Sequence, residues 1–471
     1  MVWKMKKKIL LILTLFILMH LMNLLAQTVP EPSGRRYREI VDNEFDDHSI
    51  LIGGTTGAWA FGTQTGFILD REFNYVTPEN DFKQWAIHPD PNTWNWTQTD
   101  AWIRHIEAND QILRMHCPIG PQCSSWAQTD SRTAEELESL MRVFMQAVCE
   151  RYNDEERVVS LDVVNEVVQG GNWKRDESGT GGWEMPWYKI GRDTDARGTP
   201  LYIRYAFEIA NEYAPDMKLI FNHHEDPTQV ASWNLIKTTI VYLRDLGLRV
   251  DGIGWQAHVG NDWATNVNLS LFRDLIDWAH SYDLEFHITE ASVWIDGAHT
   301  ESAFQTQAET YSKIMQVLLE KRYNGKVGWN IWHIDDGHGW YAVERAPSLF
   351  DENYEAKPAY YAIQEVLENA FPEGERPDIT QLNDNYPNPF YSATKTIINY
   401  DLPKDTWTVL KIYNSLGQEV KTLVNGYQTA GYKTAEWDGK NSFGHSVSSG
   451  TYITRLQTND IIQTRKMLFL K

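Results

Sequence analysis

The chain has 471 residues, 42% of them hydrophobic and 23% charged, and at roughly 100–200 residues per domain it holds two or three domains. These proportions exclude a disordered chain and a multi-span membrane protein. Asp and Glu outnumber Lys and Arg by 64 to 43, and the formal charge of −21 repels phosphate backbones, which argues against a nucleic-acid partner. Of 20 Trp residues, 17 fall between Trp59 and Trp340, more than core filling alone requires.

The N-terminus places Lys4, Lys6, Lys7 and Lys8 before an apolar run from Ile9 to Met19 and a small residue, Ala26. That order is a secretory signal peptide over residues 1–26, and His20 and Asn23 interrupt it too early for a membrane anchor. The mature chain is then expected to carry no membrane span. Only Cys117, Cys123 and Cys149 occur, too few for a disulfide scaffold and wrongly spaced for a zinc site. Cys117 and Cys123 could bridge if the loop between them turns back; Cys149 sits on an apolar helical face and reads as core.

From about residue 37 to 371 short apolar runs alternate with longer amphipathic ones. Strands are expected at Ile50–Gly53, Tyr75–Thr77, Ile112–His116, Val158–Glu166, Lys218–Asn222, Gly252–His258, Glu285–Glu290 and Val327–Trp332. Helices are expected at Thr133–Arg151, Pro200–Tyr213, Gln229–Leu246, Leu269–Tyr282 and Ala303–Arg322. Eight strands alternating with helices predict an α/β fold, a closed (β/α)8 TIM barrel. The glycines at 53, 54 and 57 lack the spacing of a dinucleotide-binding turn.

After a polar Pro/Gly-bearing linker at 372–381 the pattern changes to short alternating strands, at Thr396–Leu402, Thr408–Tyr413, Lys433–Trp437, Gly450–Gln457 and Thr464–Leu470. These predict a small C-terminal β-sandwich over 382–471. A carbohydrate-binding sandwich would have only Trp407 and Trp437 for stacking. Asn385–Phe390, Leu410–Val420, Trp437–Lys440 and Ser449–Tyr452 resemble, in order, the C-terminal sorting domain of proteins exported by type IX secretion. That resemblance implies the type IX machinery as a partner, and export through the periplasm of a Gram-negative-type bacterium to a secreted or surface-attached state.

Barrel active sites lie at the C-terminal ends of the strands. Leu161–Glu166 closes the fourth strand with Asn165-Glu166, and Phe286–Glu290 closes the seventh with a second glutamate. Two carboxyl groups facing one cavity are what glycoside hydrolysis needs, one to protonate the leaving oxygen and one to attack the anomeric carbon or activate water. A lone glutamate there would read as a structural ion-pair member. Two of them, with Asn165, His116, Asn222, Gln256 and His258 at other strand ends, read as a site.

Over about 37–371 the chain resembles the family 10 glycoside hydrolases, the retaining endo-β-1,4-xylanases. The match rests on Phe73–Asn80 with Lys83 and Trp85, on His116, Asp162–Glu166, Asn222, Gly254–His258, Ile288–Glu290, and on Trp332 with Trp340. The resemblance implies Glu166 as acid/base and Glu290 as nucleophile, with Asn165 on the sugar 2-hydroxyl. It also implies Glu79, Asn80, Lys83, His116 and Gln256 on sugar hydroxyls, Trp332 and Trp340 as apolar walls, and no metal or organic cofactor. Its chemistry wants Glu166 protonated near neutral pH and Glu290 ionised, with His258 as the partner of Glu290.

Three departures from the family pattern stand out. Gly120 occupies the place of a usual Trp, which removes a wall. Ser292 replaces an acidic residue, so a hydroxyl would hold the histidine, and Asn222-His223-His224 replaces the usual Asn-Asp-Tyr. The expected substrate is xylan. The alternatives are a related β-linked polysaccharide cleaved by the same mechanism, or a catalytically silent glycan-binding barrel.

Overall fold

The computed structural model describes the chain from Val29 onward except residues 46–48, 128–131, 176–184, 196, 340–341, 371–376, 378, 392–394, 405, 429–430 and 460. The signal peptide expected at 1–26, most of the linker expected at 372–381, and Trp340 therefore lie outside the described residues.

Eight parallel strands form the first unit. They are β1 (Ile50–Thr56), β2 (Tyr75–Pro78), β3 (Ile112–Met115), β4 (Val158–Asn165), β5 (Lys218–His223), β6 (Gly252–Trp255), β7 (Glu285–Trp294) and β8 (Val327–Ile331). Each pairs with its sequence neighbour, and β1 pairs with β8 from Ile50↔Val327 to Gly54↔Ile331, so the sheet closes into a TIM barrel. Strands covered on both faces read as unbroken apolar runs, and all seven residues of β1 are buried. The helices between them show how the sequence starts such elements. In Ala134–Tyr152 the Thr133 hydroxyl accepts from Glu136 N (3.2 Å) while the Glu136 carboxylate accepts from Thr133 N (2.7 Å), a reciprocal cap. That helix buries Leu137, Met141, Phe144, Met145, Val148, Cys149 and Tyr152 along one face.

One open possibility is closed here and one expectation is corrected. Cys117, Cys123 and Cys149 are buried and form no disulfide, and the Cys123 thiol donates to the Gly120 carbonyl (3.3 Å) rather than bridging Cys117. The sixth strand stops at Trp255, because Ala257 adopts φ 59°, and the chain resumes as a separate short strand, His258–Gly260, paired with the far end of β7. A left-handed residue other than glycine breaks a strand. Among the described residues no helix is long and apolar enough to cross a membrane.

The chain divides into two compact units. One comprises Met1–Lys321 and Gly325–Val366, the other Arg322–Asn324 and Leu367–Lys471. The second is β-rich, with β9 (Gln381–Leu382), β10 (Phe390–Tyr391), β11 (Thr396–Leu402), β12 (Thr406–Asn414), β13 (Glu419–Gln428), β14 (Gly431–Trp437), β15 (Gly450–Gln457) and β16 (Ile462–Leu470). A three-stranded sheet runs β9-β11-β14 and a five-stranded one β10-β16-β15-β12-β13. Alternate residues of β11 point inward, and Ile398, Tyr400 and Leu402 meet Leu410, Ile412, Trp437, Leu456 and Phe469 in an apolar core. Trp437 is fully buried and spends its indole N–H on the Lys440 carbonyl (2.8 Å), so only Trp407 of the two sandwich tryptophans is exposed.

Candidate active site

The C-terminal ends of the barrel strands open into a cleft of about 900 Å3. Ten of the twelve residues expected from sequence line it: Glu79, Asn80, Lys83, His116, Asn165, Glu166, Gln256, His258, Glu290 and Trp332. Asn222 lies fully buried, hydrogen-bonded to three of them, Asn165, Glu166 and Glu290.

Glu166 is the residue after β4, and it turns out of the strand with φ 55°. That conformation costs a non-glycine residue of order 1–3 kcal/mol and persists only where surroundings over-determine it. Here its amide donates to the Asn222 carbonyl (3.2 Å), and its carboxylate accepts from Gln256 Nε2 (2.9 Å) and Asn165 Nδ2 (3.3 Å). On the facing strand, Glu290 Oε1 accepts from Asn222 Nδ2 (3.1 Å), and its Oε2 lies 3.3 Å from His258 Nε2. The two carboxylates thus share one amide network. Asn165 Oδ1 accepts from both Asn222 Nδ2 (2.9 Å) and Gln256 Nε2 (3.2 Å), and the Thr289 hydroxyl sets the Asn222 amide by donating to its Oδ1 (2.7 Å). Gly254 makes this possible, because a Cβ there would collide with Asn222 Oδ1.

Beneath the network sits a buried ion pair. Arg114 donates to Asp162 Oδ2 (3.0 Å) and to the Thr289 carbonyl (2.7 Å), and His116 Nδ1 lies 2.7 Å from the same Asp162 oxygen. Burial would push the Asp162 carboxyl up, but Arg114 and His116 outweigh it and hold it low. Burial would likewise pull His116 down, yet Cys117, the Asp162 hydrogen bond and Glu290 raise it to about 10. His116 therefore presents a cationic Nε2 3.9 Å from Glu290 Oε1.

The neighbours of Glu166 work against the neutral form that the chemistry wants. Burial pushes its carboxyl up, but His224, the Gln256 amide, Lys174 and Lys83 outweigh burial and hold it below the ordinary glutamate value. Burial also holds His224 below its ordinary value, so the permanent charges that face Glu166 at neutral pH are those of Lys174 and Lys83. The Ser292 expectation changes too, since its hydroxyl donates to the Glu290 carbonyl (3.4 Å). Gly120 is no open gap. A Cβ at that position would lie 3.1 Å from the Asn165 Cβ and 3.3 Å from its carbonyl oxygen, so Asn165 fills the space in front of it.

Several lining residues went unread in the sequence: Gln122, Gln169, Lys174 and Trp294, with His224 noticed only as a departure. Gln122 accepts from Lys83 Nζ (2.7 Å), which also donates to Asn80 Oδ1 (2.9 Å). Gln169 belongs to a hairpin pairing Val168–Gln169 with Asn172–Trp173, and Lys174 follows directly. The hairpin is pinned where Gly170 N donates to Glu225 Oε1 (2.8 Å) and Gly171 N to the Ser232 hydroxyl (2.8 Å). Trp294 ends β7 and stacks on His258, ring centroids 6.0 Å apart at 8°. Among the described residues no group of three or more His, Cys, Asp or Glu side chains is arranged to hold a metal ion.

The model of glycosyl hydrolase family 10 matches residues 41–366, and that of the FlgD Ig-like domain matches residues 388–460. Endo-1,4-beta-xylanase A of Caldicellulosiruptor saccharolyticus is 32% identical over 318 residues, covering 63% of this chain and 87% of that relative. Endo-1,4-beta-xylanase B of Thermotoga neapolitana is 29% identical over 313 residues, covering 65% and 84%. Among solved structures, native xylanase 10B of Thermotoga maritima is 30% identical with a TM-score of 0.61, over 71% of this chain and 98% of that one. Xylanase 10B of Thermotoga petrophila, in complex with xylobiose, is 29% identical with a TM-score of 0.62, over 72% and 99%.

Proposed function

This chain belongs to glycosyl hydrolase family 10 and is a glycoside hydrolase, and on that premise we propose that it is an endo-β-1,4-xylanase that cleaves internal bonds of xylan with retention. The observation carrying this reading is the amide network that links Glu166 and Glu290 in one cleft. In it Glu290 attacks the anomeric carbon as the bond to the leaving oxygen breaks, and Glu166 delivers its proton to that oxygen. Water then attacks the glycosyl-enzyme, giving its proton to Glu166 and releasing Glu290. A pyranose entering between the carboxylates strips their remaining water, which favours the neutral form of Glu166 that the first step needs.

The test is reducing-sugar release from xylan, with the anomer formed first read by NMR. Glu290→Ala and Glu166→Gln are expected to lower turnover at least about a thousandfold, and wild type to form the retained anomer first. Full activity in either variant, or the inverted anomer, sinks the assignment. Gly120 favours a second reading, the same mechanism on another β-linked glycan, since no aromatic wall rises there. Cleavage of mixed-linkage glucan or cellulose in place of xylan would select it. A silent glycan-binding barrel would bind insoluble xylan and release nothing.

The reading extends to the ends of the chain. Residues 1–26 act as an export signal, the catalytic barrel spans 37–371, and residues 382–471 act as a type IX sorting domain, leaving the enzyme secreted or surface-attached. The ordered motifs from Asn385 to Tyr452 support the last point. Deleting 382–471 should leave the enzyme in the periplasm of a type IX-competent host, and undiminished export of the truncated chain would refute it.

A further inference from the structure

Trp59 stands just beyond the end of β1 and is half-exposed at 50%. A single exposed apolar side chain is ordinary, but this one is held in place. Its indole lies across Gly57, where a Cβ would come within 2.5 Å of Cδ1 and 2.7 Å of Nε1. At its flank the His338 ring sits with centroids 4.9 Å apart at 36°. His338 in turn is fixed by Asp335 Oδ1 (2.8 Å), and Asp335 also accepts the Thr65 hydroxyl (2.7 Å).

The loop that carries Trp59 is joined to one wall of the cleft. Ala58 N donates to Asp81 Oδ2 (2.8 Å), and Glu79 N donates to the Thr56 carbonyl (3.0 Å). Glu79, Asn80 and Lys83 line that wall. The same Asp81 oxygen accepts the buried Trp102 indole N–H (2.7 Å), which anchors the whole edge. Trp59 itself is not among the residues lining the cleft, but an indole held on a loop tied to its wall before any ligand arrives loses little entropy on binding. Its chemistry matches the apolar C–H face of a pyranose.

We propose that Trp59 is a stacking platform for a further sugar unit of the bound β-1,4-linked glycan, beyond the units held at Glu79, Asn80 and Lys83. The proposal rests on the reading of the cleft as a glycanase site.

The experiment compares kcat/KM on xylohexaose with kcat/KM on an aryl β-xylobioside, whose two sugars are too few to reach Trp59. Trp59→Ala is expected to lower the ratio of the two about tenfold, through KM on xylohexaose, and Trp59→Phe to keep it within about threefold of wild type. A ratio reports on subsite use independently of how much enzyme is folded. An unchanged ratio in Trp59→Ala, or an equal loss on both substrates, overturns the platform and leaves the glycanase reading standing. A wild type that cleaves neither substrate overturns both.

Discussion

The barrel and the sandwich both bury apolar side chains, but only the barrel adds charged ones among the described residues. The sandwich core is built of Leu, Ile, Phe, Tyr, Trp and Met, whereas the barrel interior holds Arg114, Asp162, His116 and Asn222, all within a few per cent of complete burial. Burying charge is costly unless it is paired and hydrogen-bonded. Among its described residues the sandwich core meets that cost nowhere; the barrel meets it under the two glutamates, and again at Glu72 and at the Asp336–Lys357 pair. What sets the group under the glutamates apart is its connection to the cleft, since Arg114 donates to the Thr289 carbonyl and His116 lies 3.9 Å from Glu290.

The largest stability effect should come from breaking the barrel's charge pair. Arg114→Met leaves Asp162 facing His116 alone and removes the donor to the Thr289 carbonyl, beside Glu290. We expect a loss of about 3–5 kcal/mol in denaturant unfolding of the barrel, with reduced turnover. A cost below about 1 kcal/mol would mean that the pair is dispensable. The sandwich offers the counterpart: Leu410→Ala, at a fully buried position, should destabilise that unit by about 2–5 kcal/mol. Turnover of an aryl xyloside should stay at the wild-type level, and an equal loss of activity would show that the contrast between the regions is false.

A smaller effect tests the glycine in the cleft. Gly120→Trp would restore the aromatic seen in the family pattern, but the space is held by Asn165. Its kcat/KM on xylan should fall, by about tenfold for each 1.4 kcal/mol of strain placed on the network, and a gain in activity would contradict the packing. The subtlest test concerns pH. Lys174 helps hold the Glu166 carboxyl low, so removing its charge in Lys174→Met raises that pKa. Activity on the alkaline side requires protonated Glu166, so the alkaline limb of kcat/KM should move to higher pH. A limb that stays put, or moves down, would remove Lys174 from the account.

Much of the fold was legible because both periodicities were strong. The expected strands of the barrel differ from the observed ones mainly in length, as β7 runs on to Trp294 instead of stopping at Glu290. The second unit was harder. Strand β13 escaped notice because its residues are half-buried with no clean alternation, so no period-two signal existed to read. The missed lining residues share a physical cause. Gln122 and Lys174 come from connections that reach the cleft only because Lys83 and Glu225 hold them there, and no local pattern encodes such a reach.

By itself the sequence determined that a barrel forms and that two glutamates stand at the ends of its fourth and seventh strands, since hydrophobic period and strand-end position are local properties of the chain. Only the tertiary structure decided what those glutamates are electrically. Against burial, His224, the Gln256 amide and Lys174 draw the Glu166 carboxyl below its ordinary value, and Glu290 is oriented by Asn222 and His258 from two other strands and their loops. Charge interactions depend on distance through space and on the water left between groups, and neither quantity exists until the barrel has closed.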